Sequence, residues 1–174
     1  MSRPTRIEAR GLELVSPVWP WGPYVAGPEG VKELRVTSPF GPRTHPVTGE
    51  PRRFHNGVDL GLPQGTQLRP VAVGTVERLW WDHDLNGHAI RLAHGTWWSS
   101  YVHLSQIDVQ VGQQVTPSEV IGLSGGAEGT EGAGRSTGPH LHLGVWEKDV
   151  NGKARCIDPV PVIDWRPLIL TGAV

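Results

Sequence analysis

The sequence has a single cysteine, Cys156, which excludes an internal disulfide and any metal cage built from cysteine alone. It also lacks a charge excess: 16 Lys and Arg stand against 17 Asp and Glu, a formal net charge of −1. A nucleic-acid-binding chain usually carries a basic surplus, so no nucleic acid is expected as a partner. No apolar run approaches the roughly 20 residues of a membrane span, so no membrane insertion is expected. The N-terminus starts basic, but Glu8, Glu13 and several prolines interrupt the apolar core that a secretory signal needs. Nowhere does a 3.6-residue hydrophobic period persist over three turns, which removes long amphipathic helices.

What the chain does have is glycine (23), proline (16), tryptophan (8) and histidine (8). The first two favour short strands joined by turns. A length of 174 residues suits one domain, large enough to bury a core without disulfides. We expect an all-β fold, a small antiparallel sheet or barrel-like structure with an open groove and long loops. Residues 1–32, rich in Pro, Trp and Gly, read as an irregular arm or edge strand, with Trp19 and Trp21 covering part of the core. The domain proper runs over 33–174.

Strands are expected at ELRVTS (33–38), QLRPVAV (67–73), TVERLWW (75–81) and PHLHLGVW (139–146), with an extended tail at CIDPVPVIDW. The best hairpin signal joins HAIRLAH (88–94) to WWSSYVH (97–103) across Gly95-Thr96, where glycine first suits a type II′ turn. That register pairs Ala93 with Trp98 and sets His88 opposite His103. The stretch 124–138 holds six glycines and reads as a mobile loop. Of the tryptophan pairs Trp80-Trp81 and Trp97-Trp98, one member each is expected in the core. His45, His83, His88 and His94 read as surface or loop histidines, with His88 set apart by its place opposite His103, and Asp82-His83-Asp84 as a solvated turn.

The chemistry concentrates in three places. Alternate residues of a strand share a face, so in His140-Leu141-His142-Leu143 the two imidazoles point one way and the leucines the other. Alone, such a pair is as readily two polar residues on a solvent face. In His55-Asn56-Gly57-Val58-Asp59 an imidazole and a carboxylate four residues apart sit on a loop entering a strand. Two histidines and an aspartate make an N/N/O set that leaves a fourth tetrahedral position for water, the arrangement of a catalytic zinc. A hydrolase also needs a proton acceptor and a donor to the oxyanion. No helical HExxH glutamate is present, and further histidines, His103 among them, have the right pKa range for both tasks. A rival motif, GTEGAGRS at 129–136, resembles a phosphate loop with Arg for Lys, but strand rather than helix follows it.

Taken together, SPFGPRTHPVTGEPRRFHNGVDLGLP, YVHLS, VGQQVTPSEVIG, GRSTGPHLHLGVW and IDPVPVI resemble, in order and interval, the lysostaphin/LytM-type zinc metallopeptidases. That family carries the duplicated hybrid motif and cleaves peptidoglycan. The likeness spans about residues 33 to 163. It implies one Zn²⁺ per chain held by His55, Asp59 and His142, with His103 and His140 catalytic. It also implies that the substrate is a peptide bond in bacterial peptidoglycan, in a cross-bridge or a stem peptide. Tyr101 and Arg135, which sit within those motifs, are expected to contact substrate. The glycine loop before GRSTGPHLH is longer than that family's short turn, and there the loop walls the substrate groove. Without a leader the enzyme would reach the wall as a phage-type lysin, through phage-made membrane holes or from the virion. The excess of 13 Arg over 3 Lys hints at a GC-rich source genome. A secreted enzyme trimmed of its leader is the alternative. A catalytically inactive, peptidoglycan-binding or hydrolase-activating relative of this fold would have lost some of the five positions, and all five are intact.

Overall fold

The computed structural model describes residues 35–44 and 53–163, together with the backbone of four short strands before them. Among these residues there is no helix, and every strand pairing is antiparallel. The early strands β1 (Arg6–Ala9) and β2 (Leu12–Val15) pair with each other, as do β3 (Tyr24–Gly27) and β4 (Gly30–Glu33). The stretch read as an irregular arm or edge strand thus contains two separate hairpins; Trp19, Trp21 and His45 lie outside the described residues.

The main sheet has ten strands. They are β5 (Arg35–Ser38), β8 (Val58–Gly61), β9 (Gln67–Leu68), β10 (Gly74–His83), β11 (Gly87–Ala93), β12 (Trp97–Ile107), β13 (Gln114–Val115), β14 (Gly122–Ser124), β15 (Leu141–Lys148) and β16 (Ala154–Ile157). Along the sheet they run β13-β10-β11-β12-β15-β8-β5, with β16 against β15 and β14 bridging β12 and β9. A separate two-stranded ribbon pairs β6 (Gly41–Arg43) with β7 (Arg53–His55). The strand expected over 67–73 is only Gln67–Leu68, because Pro70 has no N–H for a ladder and the Val71 N–H donates to the Tyr101 hydroxyl instead. The proline-rich tail contributes an edge strand, β16, before it turns.

Period-2 patterning explains how the sheet buries one face. Val58 and Leu60 of β8, Leu141, Leu143 and Val145 of β15, and Ile90 and Leu92 of β11 all point into one core. Asp59 and His142, between those apolar residues, point the other way and are directly paired across the two strands. The hairpin turn forms as expected: only its first central residue, Gly95, has positive φ (79°), and the His94 N–H donates to the Trp97 carbonyl.

The register of that hairpin holds from Ala93↔Trp98 to Ala89↔Val102 and then slips, so that His88 pairs with Leu104 and not with His103. His103 is the extra residue of a β-bulge, with φ at 65°. Up to Tyr101, odd-numbered residues of β12 face the core; past the bulge, Leu104 does. The bulge therefore swings His103 off the core and onto the face that carries His142.

Several other expectations are corrected by packing: His88 is buried, with its Nδ1 accepting from the Asp82 N–H at 3.1 Å. His94 is buried, with its Nδ1–H donating to the Val73 carbonyl and its Nε2 2.8 Å from the Ser99 hydroxyl; burial holds its pKa below the ordinary histidine value. Trp97 packs in the core and stacks on His94, but neither Trp80 nor Trp81 does: Arg78 and Arg91 lie over Trp80, and Trp81 is exposed. His83 is exposed, as expected. The glycine-rich stretch is packed against the sheet at several points, although residues 128–131 are exposed. Gly132 and Gly134, both at positive φ, lie so close to Leu104, His88 and Gly87 that a Cβ at either would collide with backbone.

Candidate active site

Three imidazoles and their neighbours are held by backbone carbonyls. His55 ends β7, where its Nδ1–H donates to the Pro39 carbonyl at 2.8 Å. His103 donates from Nδ1 to the Ala133 carbonyl at 2.8 Å, and His140 from Nδ1 to the Gly138 carbonyl at 2.8 Å. A carbonyl can only accept, so each of these rings carries its hydrogen on Nδ1 and, when neutral, presents the Nε2 lone pair. Ser136, itself buried, tightens the last of them: its hydroxyl lies 2.6 Å from the Gly126 carbonyl, 2.8 Å from that of Gly138 and 3.1 Å from His140 Nδ1.

Three electron-rich atoms then converge. His55 Nε2 is 3.0 Å from His142 Nδ1, His142 Nδ1 is 2.9 Å from Asp59 Oδ1, and Asp59 Oδ1 is 3.1 Å from His55 Nε2. Two nitrogens and a carboxylate oxygen this close need a positive centre between them. The edges of this triangle are near the roughly 3.3 Å that separates donors around a four-coordinate ion with ligand distances of about 2.0–2.1 Å. The donor chemistry and the spacing therefore fit a tetrahedral divalent metal with one position outside the triangle. Gly57 makes the room: a Cβ there would lie 2.5 Å from the Leu143 carbonyl oxygen and 2.8 Å from His142 Nε2.

The electrostatics agree with this use. Burial pushes the Asp59 carboxyl upward, but its contacts with the His142 and His55 rings, which donate and attract whenever a ring carries a proton there, more than reverse it, so the group stays ionised. Burial, only partly offset by Asp59, lowers His142. Burial, reinforced by His140 and His142, brings His103 down to about 4 and keeps it neutral near pH 7. His103 and His140 lie side by side with ring centres 4.8 Å apart, and His140 Nε2 is 3.7 Å from Asp59 Oδ1. Arg43 approaches the other carboxylate oxygen, Oδ2, at 3.5 Å and also donates to the Ser38 hydroxyl.

All five of His55, Asp59, His103, His140 and His142 line one cavity of about 310 Å³, and so does Arg135. Tyr101 does not. It is fully buried, its hydroxyl accepts from the Val71 N–H, and burial raises its pKa to about 12, so its place is in the core and not against substrate. The sequence reading missed Arg43, Ser136 and Gly57. All three lie within the quoted motifs, Arg43 in SPFGPR, Gly57 in FHNGVD and Ser136 in GRSTGPHLH, and that place was their one visible signal.

Comparison with known proteins points the same way. The chain is 42% identical over 133 residues to an uncharacterized metalloprotease of Haemophilus influenzae, covering 75% of this chain and 26% of that protein. It is 41% identical over 110 residues to the peptidoglycan DD-endopeptidase ShyA of Vibrio cholerae, covering 62% of this chain and 24% of that protein. It thus spans about a quarter of the length of these curated relatives. Among solved structures it is similar to a zinc-containing peptidase from Vibrio cholerae, at 31% identity and a TM-score of 0.62, over 80% of this chain and 39% of that one. It is also similar to the catalytic domain of lysostaphin from Staphylococcus simulans, at 28% identity and a TM-score of 0.60, over 74% and 90% of the two chains. Peptidase family M23 matches residues 53–159, which take in all five convergent side chains, and the chain belongs to that family.

Proposed function

We propose that this chain is a zinc-dependent endopeptidase that hydrolyses peptide bonds in bacterial peptidoglycan, with residues 33–174 as the metallopeptidase domain and 1–32 as an appended arm. One observation carries the reading: His55 Nε2, Asp59 Oδ1 and His142 Nδ1 form a triangle with edges of 2.9–3.1 Å, and two further imidazoles stand beside it in one open cavity. His55, Asp59 and His142 would hold one zinc ion. When bound, zinc supplies Lewis-acid polarisation of a carbonyl and a water of pKa about 7.

The rest is done by the chain. Either His103 or His140 accepts the proton of the attacking water at Nε2 and passes it to the leaving amine. The other, protonated at Nε2, donates to the oxyanion that develops on the scissile carbonyl. The Ala133 and Gly138 carbonyls hold the Nδ1–H of both rings, which leaves Nε2 of each as the atom that takes up or gives a proton. Relatives named as peptidoglycan DD-endopeptidases support the substrate.

The test is mass spectrometry of purified peptidoglycan after digestion, with and without a chelator. New free amino groups that vanish on chelation are expected. Wall binding that is indifferent to chelator, with no bond broken, refutes the proposal. Delivery as a phage-type lysin is part of the same reading; a neighbouring holin gene in the source genome is its test.

A further inference from the structure

The cavity is lined by two guanidiniums and one carboxylate, and the two cations are not equivalent. Arg43 is committed: it donates to Ser38 and lies against Asp59, whose other oxygen faces the imidazoles. The side chain of Arg135 makes no hydrogen bond, ion pair or ring contact with any described residue. Glu131, four residues earlier, is directed at His88 Nε2, 3.7 Å away. The backbone beneath Arg135 is nevertheless fixed. Its own N–H donates to the Leu85 carbonyl at 3.1 Å, and the next residue, Ser136, is buried and bonded to two carbonyls and His140.

A chain with a formal net charge of −1 therefore holds an uncommitted, permanently charged group in the same cavity as His103 and His140, where fixed cations outnumber the single carboxylate. Arg135 is exposed, so its guanidinium is open to a ligand that enters the cavity, while its backbone stays fixed beside His140. Guanidinium is a fork of donors matched to carboxylate. We infer that Arg135 binds a carboxylate of the substrate beside the scissile amide, and so selects a charged stem-to-stem peptide cross-link over an uncharged glycine bridge. This rests on the endopeptidase reading above. Such a cross-link offers two sources of the same group: the second carboxylate of a diamino-dicarboxylic acid, or the terminal carboxylate of a D-alanine.

Three purified cross-linked peptide dimers separate the sources: one with all carboxylates free, one with the diamino-acid carboxylate amidated, and one with the D-alanine carboxylate amidated. The full chain with zinc should cleave the free dimer faster than one of the amidated dimers by about tenfold to a hundredfold, seen chiefly in KM. Which amidation hurts names the source. Arg135→Gln should lose about tenfold or more on the free dimer and treat all three within twofold of one another, with unchanged metal content and melting temperature; Arg135→Lys should fall between. Wild-type rates within twofold across the three dimers, or a preference that survives in Arg135→Gln, overturn the inference. Wild-type cleavage of none of them, with purified peptidoglycan still yielding new amino groups, overturns this inference alone; no new amino groups from peptidoglycan either overturns the endopeptidase reading and this inference with it.

Discussion

Replacing Gly57 with alanine adds one methyl group between the two strands that carry Asp59 and His142. That methyl carbon would start 2.5 Å from the Leu143 carbonyl oxygen and 2.8 and 2.9 Å from Nε2 and Cε1 of His142. Ordinary contact begins near 3.4 Å, so the carbonyl must retreat by about 0.9 Å and the ring by about 0.6 Å. The carbonyl belongs to the Leu143↔Val58 position of the β15–β8 pair, one residue from His142↔Asp59, so relief there opens the ligand triangle; relief by ring rotation moves His142 directly. Gly57 is not at positive φ, so the cost is steric: about 1–3 kcal/mol of stability. Displacing a ligand by a few tenths of an ångström should cost zinc affinity about tenfold to a hundredfold, as loss of a supporting contact does. Gly95→Ala is the control. Its φ is 79° with nothing within 4 Å, so it should cost about 1–2 kcal/mol through backbone strain and leave zinc affinity alone. Competition against a chromophoric chelator, with urea midpoints for both variants, reads both effects. Wild-type zinc affinity in Gly57→Ala, or an equal loss in Gly95→Ala, would show that the triangle does not depend on this close approach.

Ser136→Ala removes a buried hydroxyl that links two carbonyls to His140, and should cost about 1–3 kcal/mol and lower kcat more than it changes KM; a kcat equal to wild type would mean that the hydroxyl does not position the ring. The stability of the protein should fall with acid. Burial holds His103 down to about 4 and His94 below its ordinary value, so the unfolded chain takes up these protons first as pH drops. The stability they contribute is complete above about pH 6.5 and is lost toward pH 4. Urea midpoints should be lower at pH 5 than at pH 7, and a midpoint that is unchanged or higher at pH 5 would contradict the burial argument.

Much of the site could be read from the chain because it is built on strands with strict alternation. Leu141 and Leu143 bury, so His142 must face outward, and Val58 and Leu60 do the same for Asp59. His55 was legible because Gly57 and its turn neighbours rule out a helix between it and Asp59. His103 was legible as a motif but not as a position. A bulge inserts one residue without any compositional mark, and simple alternation sends His103 into the core beside Tyr101. Tyr101 was misread for the same reason, since its motif places it near the site while its face of the strand places it in the core. His94 looked like a turn histidine because nothing in its neighbours reveals the Val73 carbonyl, 21 residues away, that accepts from it. The glycine loop looked mobile by composition, but Gly125, Gly132 and Gly134 are where its backbone packs on backbone, a long-range contact that local sequence does not record.

Metal content and hydrolysis measured side by side in five alanine variants test the central claim most directly. His55→Ala, Asp59→Ala and His142→Ala should lose both zinc and cleavage of peptidoglycan. His103→Ala and His140→Ala should keep about one zinc per chain and still fail to cleave. Full zinc occupancy in all five, or wild-type hydrolysis in either of the last two, would contradict the division of labour drawn from this geometry.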